Sequence, residues 1–398
     1  MRILICAVEA PLPPINGFRL MLGALTQELR RKHEVRVLAF RAADQEAASR
    51  AESQLRLVPR PEANSLGDAA AVLQALLRRR PLRADALAAA LAGPLREELE
   101  DFDADVVHVT SGRLAALGRA LAGRRSVLGA LDAWHLNVEA RALVAAGARR
   151  RLLRGEASRV RRFEASEYRR FGRVVVVSEA DRDALREVDP MLAVSVIPNG
   201  VDAGYFAPDP DVSRDSSRVV FTGVMSYAPN VLAADYLARQ VFPLVRAARP
   251  AARLAIVGRA PAPRVQALAE LEGVDVTGEV EDLRPWLVGS GAYVCPMISG
   301  TGIKNKLLEA MACAAGCVAT PLALQGLRVT PGQELLVGTT AEELAHALLR
   351  VLEDDESRAS LGRAAREYVR SEHDWRSVAR AYRDVYRELQ PRDAGAAI

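Results

Sequence analysis

Lysine is nearly missing from this chain of 398 residues. Of 54 basic side chains only Lys32, Lys304 and Lys306 are lysines, and arginine supplies the rest. Cysteine is scarce too: Cys6, Cys295, Cys313 and Cys317 show no zinc-type spacing. A zinc-stapled fold is excluded, and four buried, reduced thiols are expected, the last two within one alanine-rich helical run. Aromatic residues make up 5% of the chain and do not interleave with the basic ones, which argues against a nucleic-acid surface. No stretch approaches the roughly 18 apolar residues of a membrane-spanning helix. The opening "MRILICAVEAP" meets a glutamate after about six apolar residues, too few for a signal-peptide core. A cytoplasmic protein is expected.

Half of the residues are hydrophobic and 26% are charged, the balance of a soluble globular chain, and the length favours two domains. The net charge is only +4. Its one local excess is 149–173, "RRRLLRGEASRVRRFEASEYRRFGR", with ten arginines against three glutamates. That stretch reads as a solvated helix face, with an anionic acceptor or weak association with a membrane surface as the other readings.

The two halves of the chain begin alike. "RILICAV" (2–8) is a short apolar run, then a loop with proline and glycine, then the helical pattern "LMLGALTQELRRKHE". "RVVFTGVM" (218–225) is followed by "SYAPN" and "VLAADYLARQVFPLVRAA". Each half continues with short apolar runs between longer amphipathic segments: "EVRVLAF", "DVVHVTS", "RSVLGALD" and "RVVVVSEA" in the first, "ARLAIVG", "VDVTGEV", "GAYVCPM" and "CVATPLA" in the second. Such alternation predicts parallel sheets covered by helices on both faces, hence two doubly wound α/β domains. The proline- and glycine-bearing stretch 195–218 sets the boundary, with a linker at about 203–217. The domains are therefore 1–202 and 203–375, and "HDWRSVARAYRDVYREL" reads as one amphipathic helix. Ligands of open α/β sheets sit beyond the C-terminal ends of the strands, so the site is expected in the cleft between the two domains.

Two of the three lysines fall in "GTGIKNKLLEAMACAAG" (300–316), a glycine-bearing loop that opens a helix. Helix start, permissive glycines and exposed backbone N–H groups make a cradle for anions. Lys304 and Lys306 add compact ammonium groups, which suit a phosphate approached from several directions better than arginine's flat fork. Glu309 lies one helical turn beyond Lys306 and can face the same ligand. A carboxylate beside a phosphate cradle can accept from both hydroxyls of a ribose.

This pattern resembles the donor site of glycosyltransferase family 4, the retaining nucleotide-sugar transferases of GT-B fold. The resemblance continues in order along the chain. It takes in "VVVVSEADRDAL", "VIPNGVDAGYF", "FTGVMSYAPNVLAADYL" (the branch with a Met-x-Tyr-x-Pro-Asn loop), "LAIVG", "VTGEVEDLRPWL" and "AEELAHALLRVLEDDESRASLGRAAREYV". It implies a last helix, about 376–398, that crosses back to the first domain, an acceptor-binding first domain and a donor-binding second one. It implies transfer of a hexose from a UDP- or GDP-sugar to a hydroxyl of a glycan, a lipid-linked glycan or a small natural product. No cofactor and no metal are implied, in keeping with the absence of a clustered aspartate or histidine ligand set.

By position, the resemblance gives Lys304 and Lys306 to the diphosphate and Glu309 to the ribose. The backbone at Val280 goes to the base, Thr301, Gly302 and Ile303 to the donor sugar, and the Leu307 and Leu308 N–H groups to the phosphates. Gly223, Met225 and Asn230, in the loop after the first strand of the donor domain, are also given to the donor. Thr301 stands where the family often has a first glutamate, and the loop "GVMSYAPN" lacks the family's arginine and lysine, so the load falls on Lys304 and Lys306. In the first domain the loop with Asn16, Gly17 and Phe18 occupies the acceptor or phosphate loop, or is a plain strand-to-helix turn. Asp132, His135 and Asn137 read as a loop leaving a strand, where Asp132 or His135 would hold the sugar or take a proton; for His135 a structural role stands beside this. His108 reads as core, His346 and His373 as structural. Two other functions stay open: a nucleotide-sugar 2-epimerase of the same fold, and a non-catalytic nucleotide-sugar-binding protein.

Overall fold

The computed structural model describes residues 1–12, 17–41, 54–61, 75, 77–143, 145–300 and 302–389. Asn16 and Thr301 therefore lie outside the described residues. The chain divides into two compact units, Met1–Pro198 joined by the segment from Val378, and Asn199–Ser377. The division falls a few residues before the 202/203 boundary read from sequence. The stretch 203–217 is not all linker, because a strand already begins at Asp215.

Unit 1 carries strands β1 (Arg2–Ala7), β2 (Glu34–Arg41), β3 (Leu55–Pro59), β4 (Val106–Thr110), β5 (Ser126–Leu131), β6 (Arg173–Val176) and β7 (Val194–Val196). Among the described residues they form one parallel sheet in the order β3-β2-β1-β4-β5-β6-β7. Strands buried on both faces read as continuous apolar runs, and all five residues of β4 are buried. The helices used below are α1 (Gly17–Arg30), α2 (Ala84–Phe102), α3 (Trp134–Leu143), α4 (Gly147–Glu167) and α5 (Glu179–Val188). Helix α2 presents Leu87, Leu91, Leu95 and Leu99, at four-residue spacing, to the sheet core around Leu4, Leu38 and Val107.

Unit 2 repeats the plan with β8 (Asp215–Thr222), β9 (Arg253–Val257), β10 (Val274–Gly278), β11 (Ser290–Cys295), β12 (Cys317–Ala319) and β13 (Leu336–Val337), in the order β10-β9-β8-β11-β12-β13. Helices α6 (Ala228–Tyr236), α7 (Phe242–Ala248), α8 (Asn305–Ala312), α9 (Ala341–Glu353) and α10 (Asp355–Tyr368) belong to it. The last described helix, α11 (Trp375–Glu388), runs from the end of unit 2 into unit 1. Both sheets reverse their strand order once, between β1 and β4 and between β8 and β11. Helices on either side of such a point leave by opposite faces and open a crevice at the strand ends.

The four cysteines are free and buried. Cys313 follows the last turn of α8 and Cys317 opens β12, so the alanine-rich run is not one helix: Ala314 adopts the left-handed conformation between them, with φ of 55°. His108 is core, its Nδ1 lying 2.8 Å from the Tyr386 hydroxyl, and burial lowers its pKa to about 3. His373 is buried and bonds the Tyr368 hydroxyl and the Asn199 carbonyl. No helix among the described residues is long and apolar enough to cross a membrane.

Candidate functional site

In unit 2 the crevice at the β8/β11 reversal is bounded by the loop after β8 and the loop after β11. Three strands side by side end in glycine: Gly223 after β8, Gly258 after β9 and Gly278 closing β10. Their backbones interlock, Gly223 N–H donating to Val257 O (3.0 Å) and Gly258 N–H to Gly278 O (3.0 Å). A Cβ on Gly258 would sit 1.8 Å from the Gly223 carbonyl, and one on Gly223 would sit 2.7 Å from Asn230 Nδ2 and 3.2 Å from Lys306 Nζ. Glycine here lets backbone and the lysine ammonium come close.

Lys306 is the centre of this arrangement. Its ammonium donates to Asn230 Oδ1, lies 3.7 Å from Met297 Sδ and sits 5.0 Å from the centroid of the Phe221 ring. The Asn230 amide in turn donates to Val224 O at 3.0 Å. An ammonium has three donors, and one neutral oxygen and a thioether leave capacity for an anion. Burial pulls the Lys306 pKa below the usual lysine range, the Cys295 thiol opposes this, Lys304 adds to it, and Glu309 opposes it. A partly dehydrated cation of this kind interacts more strongly with a ligand charge than one in water.

Lys304 plays a different part. It is the N-cap residue of α8, is buried, and its ammonium folds back onto the Gly302 carbonyl. The expectation for Leu307 and Leu308 is corrected: both N–H groups donate to the Lys304 carbonyl, at 2.8 and 3.3 Å, so neither is open to a phosphate. With those two capped, the amides of Asn305 and Lys306 are the first-turn donors left without an intrahelical partner. Gly302, with φ of 75°, and the half-buried Ile303 lead into the helix. Gly300, with φ of 100°, lies against Pro229 of α6, its virtual Cβ 3.2 Å from the Pro229 ring.

Glu309 follows one turn after Lys306, half-buried, and its carboxyl bonds no described residue. Burial raises its pKa from 4.5 to about 7, with Lys306 pulling the other way. Met225 and Asn230 are buried. Met225 also spends its N–H on Arg259 O and its carbonyl on the Ala262 N–H. Both shape the loop rather than offer free groups. Val280 is half-buried against the unit core, directly after β10. Sequence reading missed Ser299 and Asn305, whose buried Oγ and Oδ1 have no partner among the described residues, and Phe221 beneath the Lys306 ammonium. Their one sequence signal was position, flanking the glycine loop or ending a strand.

In unit 1 the corresponding edge holds Asp132. Leu131 closes β5 in the left-handed region, φ 72°, a conformation uncommon for a side chain of its size. It turns the chain straight into α3. His135 and Asn137 therefore lie on that helix, not in a loop as the sequence suggested. The physical reason is capping by distant side chains: Ala133 N–H donates to Asp181 Oδ1 (3.0 Å) and His135 N–H to Glu164 Oε1 (3.2 Å). The His135 ring is buried, with Nδ1 at 2.5 Å from Glu164 Oε2. It holds α3 to α4 and does not present a free nitrogen at Nδ1. Asp132 stays half-buried, accepts from Asn137 Nδ2 at 2.6 Å, and has its pKa raised to about 6. Burial is the main cause, Asn137 opposes it, Asp181 and Glu164 add to it, and Arg113 opposes it. Gly17 is exposed and opens α1, with Phe18 half-buried beside it. Among the described residues no group of three His, Cys, Asp or Glu converges as metal ligands would.

Two doubly wound sheets, each with a reversal point, and the solved structures they resemble define the GT-B glycosyltransferase fold. Sucrose-phosphate synthase from Thermosynechococcus elongatus superimposes with a TM-score of 0.70 at 17% identity, over 98% of both chains. HepE of Anabaena, in complex with UDP and glucose, gives 0.65 at 16% identity, over 98% of this chain and 100% of that one. The family profile described as Glycosyltransferase Family 4 matches residues 15–205, and that described as Glycosyl transferases group 1 matches 216–354. The chain belongs to glycosyltransferase family 4. A curated relative, the phosphatidyl-myo-inositol mannosyltransferase of Mycolicibacterium smegmatis, is 30% identical over 199 residues, 48% of this chain and 50% of that one. The chain spans about half the length of such curated relatives in these alignments.

Proposed function

We propose that the chain is a retaining, metal-independent glycosyltransferase that moves a hexose from a UDP- or GDP-sugar to a hydroxyl of a glycan, a lipid-linked glycan or a small natural product. The observation that carries this reading is Lys306. It is a partly buried ammonium with spare donors, set at the strand-order reversal of unit 2 beside two open helix amides and one turn before a carboxyl group without a partner among the described residues. A solved neighbour holds UDP and glucose, which supports a nucleotide-sugar donor here, and a relative named for an inositol lipid supports a hydroxyl-bearing lipid among the acceptors.

In this reading Lys306 and the Asn305 and Lys306 amides bind the diphosphate, Glu309 the ribose hydroxyls, and the backbone beyond Gly278 and Val280 the base. Ser299, Thr301, Gly302 and Ile303 line the sugar. Lys304 acts through the loop it caps, and Asn230 aims the Lys306 ammonium. Unit 1 supplies the acceptor groups, with Asp132 its half-buried carboxyl and Gly17 and Phe18 at the start of α1. The acceptor hydroxyl attacks C1 of the sugar on the face from which the diphosphate departs. The C1–O bond to phosphate breaks and the hydroxyl proton passes to a phosphate oxygen. Retaining glycosidases instead use a carboxylate nucleophile about 5 Å from the acid. The protein's part is to stabilise charge growing on the leaving phosphate and to hold the acceptor still. The protein acts in the cytoplasm, where four unpaired thiols persist.

Product analysis tests this. Incubation of UDP- and GDP-hexoses with a panel of acceptors, followed by proton NMR of the anomeric position, is expected to show the donor's configuration kept, at a rate unaffected by excess EDTA. An inverted product, or loss in EDTA restored by magnesium or manganese, refutes the mechanism. A C2-epimerised donor, or binding without turnover, would place the chain with the epimerases or the binding proteins.

A further inference from the structure

Helices α3 and α4 form a hairpin with a small core of its own, Val138, Ala157 and Val160 packed with Trp134 and Leu153. Beyond that core α4 starts in the open. Arg149, Arg150, Arg151 and Arg154 are all exposed, as is Arg141 at the end of α3. None of them pairs with a described carboxylate. The lower part of the same helix behaves differently: Glu156 holds Arg159 at 2.7 Å, and Glu167 holds Arg80, Arg119 and Arg170 at 2.6 to 3.0 Å. Between the arginines of the tip stand two leucines, Leu143 at 72% and Leu152 at 57% exposure.

An ordinary solvated helix face mixes both signs of charge, whereas residues 140–155 contain no acidic residue at all. The placing of the cations is itself unfavourable. The first turn of α4 has no acidic residue, and Arg149 and Arg150 stand at its positive end, where backbone N–H groups favour anions. An external anionic surface reverses that sign, and exposed leucines beside arginines add an apolar foot that water does not reward.

We infer that the tip of this hairpin is a docking surface for an anionic lipid bilayer, the arginines meeting headgroup phosphates and Leu143 and Leu152 entering the interface. It belongs to unit 1 and does not depend on the catalytic reading. Flotation of the full chain with phosphatidylcholine vesicles, with and without phosphatidylglycerol, tests it. Binding is expected only with the anionic lipid and is expected to weaken as salt is raised. Each cation near an anionic leaflet contributes about a fivefold gain in partitioning, so Arg149→Gln, Arg150→Gln and Arg151→Gln together should weaken binding roughly 100-fold. Leu143→Ser with Leu152→Ser should weaken it while leaving its salt dependence. All five positions are exposed, and thermal melting checks that the fold is kept. Absence of flotation, equal binding to neutral vesicles, or wild-type binding by the triple variant overturns the inference. Retention on a DNA duplex without flotation overturns it too, and would place a nucleic acid at this tip.

Discussion

Replacing Glu309 with glutamine should make unit 2 more stable and worse at its task, with both effects depending on pH. The carboxyl is half-buried, bonds no described residue, and has its pKa raised by burial from 4.5 to about 7. An acid whose pKa rises on folding stabilises the fold in its protonated form. That contribution is complete below about 4.5 and is lost as the pH rises through about 7. At 1.36 kcal/mol per unit the shift corresponds to about 3 kcal/mol, which partial exposure reduces to about 2 kcal/mol. Glutamine has the same shape and never ionises. Glu309→Gln should therefore melt about 4–8 °C above wild type at pH 8, on the scale of a unit of this size, and within about 1 °C of it at pH 4. In the same variant calorimetry should show weaker UDP or GDP binding at pH 8, because an amide cannot accept from two ribose hydroxyls with both of its polar atoms. Groups kept in a conformation or charge state that the fold disfavours are concentrated at functional sites. Equal melting at pH 8 would mean the carboxylate is not strained, and unchanged nucleotide affinity would remove it from the ribose.

Lys306→Ala should lower kcat roughly 100-fold or more, the scale for losing one preorganised charge contact, while Lys306→Arg recovers only part. Steady-state kinetics decide, and full activity in Lys306→Ala would reduce the lysine to a solvated helix terminus. Asn230→Ala should cost kcat about tenfold, a charge-assisted hydrogen bond's worth, with little change in KM. Because Asn230 is argued to act through Lys306, the double variant should be no slower than Lys306→Ala alone; additive losses would give Asn230 an independent role.

The fold was largely readable because the parallel strands announce themselves. "RILICA", "VVHVT" and "RVVV" are unbroken apolar runs, as strands buried on both faces require, and the amphipathic stretches between them left the helices little choice. What escaped were β3, β7 and β13, which lie at or near sheet edges. "VSV" and "LV" are too short for a pattern, and they are strands because a neighbouring strand offers them hydrogen bonds. The stretch 203–217 read as linker because prolines, a glycine and polar residues dominate locally, yet β8 draws Asp215–Ser217 out of it.

At the sites, residue types and spacing along one helix were determined by sequence alone. Lys306 and Glu309 share a side of α8 because a helix turn is 3.6 residues, whatever surrounds it. Partners far apart in the chain were decided by tertiary structure. Asn230, 76 residues before Lys306, turned from a proposed donor contact into the group that holds its ammonium. His135 was drawn from a presumed loop into a buried helix by Glu164 and Asp181, 29 residues from His135 and 48 from Ala133. Leu307 and Leu308 lost their free amides to the Lys304 carbonyl because the chain curls back one residue before α8. Local periodicity fixes which side chains travel together. Whether a polar group is left open for a ligand depends on what else reaches it, and hydrogen bonds across dozens of residues form only once the sheet has brought their strands side by side.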